Sequence, residues 1–172
     1  MKNNIKFPLL IALVLSCSAL TYGQNTMTPP HGYDHDIGTM VSMLENLRTR
    51  IIMSTRSLNQ NQTDFLLDDK ANRIGAMIMH LAATEVYYQA YTFEGRSFNK
   101  EEKEKWETAL NLGDEARSEF VGKPIQYYLD IWAEVRQKTL DTLKTKDDKW
   151  FATLTTGGQT DNHWAWFHVM EH

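Results

Sequence analysis

Apolar residues recur at steps of three, four and seven over most of the chain, which is the spacing of one face of an α-helix. The pattern predicts a first long helix over residues 36–58, a second over 71–93 and a third over 124–145. A fourth helix is predicted to begin near Thr160 or Asp161, whose side chains suit an N-terminal cap. No segment alternates apolar and polar residues with the period of a β-strand, so the expected fold is all-α.

Each predicted long helix carries one apolar stripe. The stripes are formed by Ile37, Val41, Leu44, Leu47, Ile51 and Leu58 on the first helix, by Ile74, Met77, Leu81 and Tyr88 on the second, and by Tyr128, Ile131, Val135 and Leu143 on the third. The charged segment after Asn99 predicts one or two further helical turns, anchored by Trp106 and Leu110. Helices with one apolar stripe each bury those stripes against one another, which predicts a four-helix bundle.

The first 23 residues have the three parts of a secretory signal peptide. Two lysines and no acid are followed by an apolar run and then by a cleavage position before Gln24. The run is shorter than the ~20 residues of a membrane-spanning helix, and no other stretch approaches that length, so no membrane span is expected. The sequence therefore predicts a signal peptide over residues 1–23, a flexible lead-in over 24–33 and one folded domain over 34–172. Such a protein would be secreted or periplasmic.

The single cysteine, Cys17, lies inside the predicted signal peptide. The Val-Leu-Ser-Cys stretch is similar to a bacterial lipoprotein cleavage box, so a lipid anchor on Cys17 is an alternative to cleavage near Gly23. The apolar residues after Cys17 and the second cleavage position favour the cut near Gly23. That cut leaves a mature chain without cysteine, which excludes disulfides and a cysteine nucleophile.

The charge of the chain excludes one class of partner. The sequence has 18 basic and 22 acidic side chains, a formal net charge of −4 at pH 7, and no basic cluster. Nucleic-acid binding relies on Lys and Arg patches that neutralise phosphates, so no nucleic-acid partner is expected. A small-molecule substrate is expected instead. The sequence identifies neither that substrate nor the oligomeric state, and it leaves a homodimer open.

Three of the six histidines are candidate metal ligands. His80 lies at the edge of the apolar face of the second predicted helix, while His168 and His172 are four residues apart on one side of the last helix. Three neutral imidazoles leave coordination positions open for water or substrate, as in a reactive metal site. Spacing alone also allows hydrogen-bonded histidines at the edge of the core, in a non-catalytic binding or structural bundle.

Two segments together resemble a known family. The sequences IGAMIMHLAATE (residues 74–85) and WFHVMEH (166–172) are similar to those of the DinB-like (DinB/YfiT) superfamily, and the resemblance extends over about residues 34–172. It implies an up-down-down-up four-helix bundle with one histidine ligand on the second helix and two on the last. It also implies a divalent metal, zinc or nickel, and a thiol S-transferase activity. The alternative reaction class is a metal-dependent hydrolase that uses a metal-bound water.

The C-terminal motif departs from the family pattern. Similar proteins continue with a Glu and a further His one helical turn later, so the last helix is expected to be truncated here. Either His168 and His172 act together with His80, or His80 and His172 belong to a set whose third ligand lies beyond the sequence.

Four other residues near the histidines are given supporting or structural roles. Glu85 is about 140° around the helix from His80 and is interpreted as a core-edge or surface carboxylate. The preferred role for Trp164, Trp166 and Phe167 is that of core aromatics, and the second choice is that they form the walls of a pocket.

Overall fold

The computed structural model of the chain describes residues 26–172, so the predicted signal peptide lies outside the described residues. The α-helices are α1 (His35–Thr55), α2 (Gln60–Thr63), α3 (Ile74–Tyr88), α4 (Lys100–Asn111), α5 (Gly113–Glu119), α6 (Ile125–Leu143), α7 (Asp148–Phe151) and α8 (Asn162–Glu171). A π-helical segment, Gln89–Phe93, continues α3. No β-strand occurs between residues 26 and 172, where the only pairing is an isolated bridge. The predicted all-α class is confirmed.

Contacts of α6 set the directions of three long helices. The Tyr33 hydroxyl just before α1 donates to the Leu140 carbonyl near the end of α6. Further along α1, Glu45 accepts from Arg136, which is earlier in α6, so α1 and α6 run antiparallel. Helices α3 and α6 instead run parallel, because Glu85 accepts from Trp132 and, further along both, Gln89 at the end of α3 donates to Thr139.

The remaining directions follow from aromatic contacts and from the clefts beside α8. The rings of His80 and His172 are in contact near the middle of α3, and those of Tyr88 and His168 meet at its C-terminal end, so α3 and α8 are antiparallel. The cleft that includes His163, early in α8, is lined by residues 35–43 of α1, whereas the cleft that includes Glu171, at the end of α8, is lined by residues 43–50, so α1 and α8 are parallel. This is the up-down-down-up order that the resemblance implies, and the helical bundle is confirmed.

Helix α3 lies at the centre of the bundle and is buried on most sides. Its buried residues are Gly75, Ala76, Ile78, Met79, Ala82, Ala83, Thr84, Glu85, Val86 and Tyr88. The prediction of one buried stripe is therefore wrong for this helix, and Met77, assigned to that stripe, is 45% exposed. The physical reason is that α4, α6 and α8 each pack on a different side of α3. The other two stripes are better predicted, with Val41 and Tyr128 among the fully buried positions.

The charged segment after Asn99 forms more helix than predicted. Asn99 and Glu102 make a capping box at the start of the 12-residue helix α4, which satisfies backbone N–H groups that the first turn leaves free. The Arg96 guanidinium hydrogen-bonds to Glu102 and holds the pKa of that carboxyl down at about 2. Ala109, a fully buried residue two turns further along α4, packs against the core around α3. This packing brings a backbone carbonyl of α4 to the histidine of α3.

No helix within residues 26–172 has both the length and the apolar character needed to cross a bilayer.

Candidate metal centre

His80 is held in a single orientation by the backbone of α4. Its Nδ1 atom is 3.0 Å from the Ala109 carbonyl oxygen, which can only accept, so Nδ1 carries the proton and Nε2 carries the lone pair. Burial lowers the pKa of His80, although the bond to Ala109 opposes the effect. The side chain is therefore neutral near pH 7, which is the state that a metal ion requires of an imidazole.

His168 is positioned by its own helix and by α3. Its Nδ1 atom lies 2.6 Å from a carboxylate oxygen of Glu171. The ring stacks on Trp164 at a centroid distance of 5.2 Å and meets the edge of Tyr88 at 5.7 Å. Upstream, the Asp161 side chain caps α8 by accepting from the Trp164 backbone N–H. The cap, the stack and the carboxylate together fix the plane of the imidazole.

His172 lies between the other two histidines. Its ring centroid is 5.3 Å from that of His80 and 4.4 Å from that of His168. Its Nδ1 atom is 2.8 Å from the His168 carbonyl oxygen, so this nitrogen also carries its proton. All three candidate ligands thus have Nδ1 paired with an oxygen acceptor, an arrangement common among histidines that bind metals through Nε2.

Taken two at a time, the histidine rings are spaced as two ligands of one metal ion would be. At a Zn–N distance of ~2.1 Å, each ring centroid lies roughly 3.2 Å from the ion, so two ligands are about 4.5–5.3 Å apart for angles between octahedral and tetrahedral. The separations from His172 to His80 and to His168 both fall near that range. Across residues 26–172, however, no three His, Cys, Asp or Glu side chains converge on one point in metal-binding geometry. The donors fit a divalent ion in type and in pairwise spacing, although the three side chains do not meet at one point in this structure.

A buried ion pair joins α3 to α6, and the sequence analysis did not predict it. Glu85, interpreted as a core-edge or surface carboxylate, is fully buried, and its two oxygens accept from Nε and Nη2 of Arg136 at 2.7 and 2.9 Å. Trp132 donates its indole N–H to the same carboxylate at 3.2 Å. Burial acts to lower the pKa of Arg136, but the facing carboxylates of Glu85 and Glu45 outweigh it and raise that pKa. A carboxylate inside the apolar sequence of α3 was the available signal, because a buried charge requires a partner.

The aromatic residues of α8 divide between the core and the surface. Trp166 is completely buried and stacks on Phe93, as a core aromatic should. Trp164 and Phe167 are about half exposed, so their assignment to the core is wrong. Trp164 lies over His168 instead, and Phe167 lines an apolar cleft beside Met43 of α1. Helix α8 therefore buries a narrow face and presents its other aromatics beside the candidate site.

The bundle order and the histidine placement define the class of protein as a DinB/YfiT-like helical bundle. The family whose sequence model matches residues 39–172 is described as mycothiol-S-transferase, and the chain belongs to that family. The matched segment includes all three candidate ligands. No curated protein matches the chain.

Proposed function

We propose that the protein is a metal-dependent thiol S-transferase whose divalent ion is held by His80, His168 and His172. The observation that carries the proposal is the shared state of the three imidazoles, each with Nδ1 paired to an oxygen acceptor and Nε2 left for a ligand. Membership of a family described as mycothiol-S-transferase supports the reaction class.

The ion in this proposal is zinc or nickel, since both are well suited to imidazole ligands. When bound, it lowers the pKa of a coordinated thiol, so that the thiolate nucleophile forms near neutral pH. The protein residues prepare the site for that chemistry. Ala109 keeps His80 in the required tautomer, Glu171 holds the proton of His168, and Trp164 fixes the plane of the His168 ring.

The reaction is tested with metal-loaded protein, mycothiol and monobromobimane, with thioether formation followed by fluorescence. The thiolate sulfur forms a bond to the bromomethyl carbon, bromide leaves with its electron pair, and buffer takes the thiol proton. We expect the protein-dependent rate to disappear on chelation, to return with zinc or nickel, and to fall at least tenfold in His80→Ala. His163→Ala is the matched control, because His163 is an exposed residue of α8 outside the three-histidine set. A protein-dependent rate that survives both chelation and His80→Ala would refute the proposal.

We also propose that the protein is exported, on the strength of the basic, apolar and cleavage-site order in residues 1–23. N-terminal sequencing of the protein from its native host should give a mature start near Gln24. A lipid on Cys17 would identify a membrane-anchored form instead, and a cytoplasmic protein that retains Met1 would refute export.

A further inference from the structure

Trp164 of α8 is a large aromatic side chain that is both exposed and in contact with a candidate metal ligand. It is 47% exposed, whereas Trp166 on the same helix is completely buried. Its ring stacks on that of His168, and its backbone N–H donates to the Asp161 side chain at 2.7 Å. The stack and the helix cap together hold this exposed ring beside the candidate metal centre.

The stack leaves part of the tryptophan ring uncovered. The ring planes of Trp164 and His168 are 7° apart, and their centroids are separated by 5.2 Å. Aromatic planes in contact are ~3.5–4 Å apart, so the imidazole is displaced sideways by roughly 3–4 Å from the centre of the tryptophan ring. A five-membered ring in that offset position cannot cover a bicyclic one. The remainder of the indole therefore adjoins a candidate ligand and is open to solvent.

Other aromatic side chains continue this wall of the candidate metal centre. The edge of Tyr88 meets His168 at 5.7 Å, and the ring of Tyr87 lies 5.3 Å from that of Tyr88. Burial raises the pKa of Tyr88 to about 12, so its hydroxyl stays protonated near neutral pH. The Glu171 carboxylate is already paired with Nδ1 of His168 at 2.6 Å. These surroundings favour an uncharged ligand group with a large apolar face over a charged one.

We propose that Trp164 is a stacking platform for the electrophilic substrate, and that this substrate carries a planar, uncharged conjugated group. Aromatic rings attract one another in offset stacks beyond the effect of the area that they bury, whereas a saturated ring of similar size has no π face to offer. A planar group on the uncovered part of Trp164 would be held next to His168. The inference rests on the proposed function, because the platform serves the electrophile of that reaction.

The platform is tested with 2-bromo-N-phenylacetamide and 2-bromo-N-cyclohexylacetamide, which share the reacting carbon and differ in a planar or a saturated ring. In each reaction the sulfur of mycothiol bonds to the carbon that carries bromine, bromide leaves with its electron pair, and buffer takes the thiol proton. Rates are measured with zinc-loaded protein at saturating mycothiol and divided by the uncatalysed rates. We expect kcat/KM to be about fivefold higher for the phenyl compound, or about 1 kcal/mol. The difference should lie in KM, because stacking stabilises the bound substrate and the transition state alike.

Three variants show whether this preference comes from Trp164. Trp164→Leu should remove it, and Trp164→Phe, which keeps an aromatic face, should retain part of it. Phe167→Leu is the matched control and should leave it unchanged, because Phe167 is 48% exposed on the same helix but lines the cleft beside Met43.

Binding without turnover is measured by NMR of the indole N–H groups in the metal-free protein. The Trp164 signal is the one, among those of five tryptophans, that is absent from Trp164→Phe. Titration of this signal with unreactive N-phenylacetamide should give a Kd about fivefold lower than titration with N-cyclohexylacetamide.

The outcomes separate this inference from the proposed function. Alkylation of mycothiol without a preference for the phenyl compound would overturn the platform and leave the thiol transferase proposal standing. An equal loss of both reactions in Trp164→Leu, with the preference unchanged, would show that Trp164 acts only by orienting His168, and would also overturn the platform. No protein-dependent reaction of either compound or of monobromobimane would overturn the proposed function and this inference together.

Discussion

Replacement of Glu85 by alanine is expected to lower the free energy of unfolding by about 3–5 kcal/mol. The side chain is 1% exposed and supplies two of the three carboxylate oxygens that Arg136 contacts, while Arg136 is itself 3% exposed. The variant leaves a buried guanidinium without its main partner and opens a cavity between α3 and α6. Urea unfolding followed by helical circular dichroism measures the loss as a lower transition midpoint at an unchanged slope.

Glu45→Ala is the matched control for this prediction. Glu45 contacts the same guanidinium at 2.9 Å, but 37% of its side chain is exposed, and water can replace the carboxylate. Its removal should cost no more than about 1 kcal/mol. A second control replaces the buried pair by apolar residues of similar size, Glu85→Leu with Arg136→Met, and should recover much of the stability lost in Glu85→Ala. Equal losses from Glu85→Ala and Glu45→Ala would contradict the structural role assigned to the buried pair.

His80→Ala is expected to weaken zinc binding by at least 100-fold, or about 2.7 kcal/mol. His80 is the only histidine on α3, and its imidazole is the one candidate ligand whose tautomer is fixed by another helix, through the Ala109 carbonyl. Water can occupy the lost coordination position but cannot replace the bond to a nitrogen that is already oriented. The remaining pair, His168 and His172, belongs to a single short helix.

His163→Ala removes an imidazole, as His80→Ala does, but it should not weaken zinc binding. His163 is exposed, stacks on Phe151 and contacts none of the three candidate ligands. Both variants should retain the helical circular dichroism spectrum, because His80 is only half-buried and His163 lies at the surface. A loss of zinc binding in His163→Ala as large as that in His80→Ala would show that these substitutions do not act through the proposed ligand set.

The sequence predicts the long helices because their apolar residues follow the helical period over many turns. Even where a prediction was wrong, as for Met77, the reason is the environment of the whole helix rather than its local pattern. A stripe model assumes one buried face, whereas α3 is surrounded by three other elements. A helical segment anchored by Trp106 was predicted after Asn99, but its full length was not, because its many Lys and Glu residues leave few apolar positions from which a helical period can be read.

The sequence predicts which histidines belong to the candidate site, but it does not predict the contacts that position them. Spacing places His168 and His172 on one side of α8, and the structure brings His172 to His80. The partner of His80 is a backbone carbonyl of α4, and no side-chain pattern identifies it. The burial of Glu85 likewise depends on how α6 packs against α3, although its place in an apolar helix signalled the need for a partner.

Metal titration of the wild-type protein and His80→Ala tests directly whether His80 is a ligand of a divalent ion. Both proteins are prepared without a histidine tag, stripped of metal by chelation and titrated with zinc in the same buffer by calorimetry. We expect one ion per chain for the wild-type protein and for His163→Ala, and at least 100-fold weaker binding for His80→Ala. The same zinc affinity in the wild-type protein and His80→Ala, or no zinc binding by the wild-type protein, would contradict this expectation.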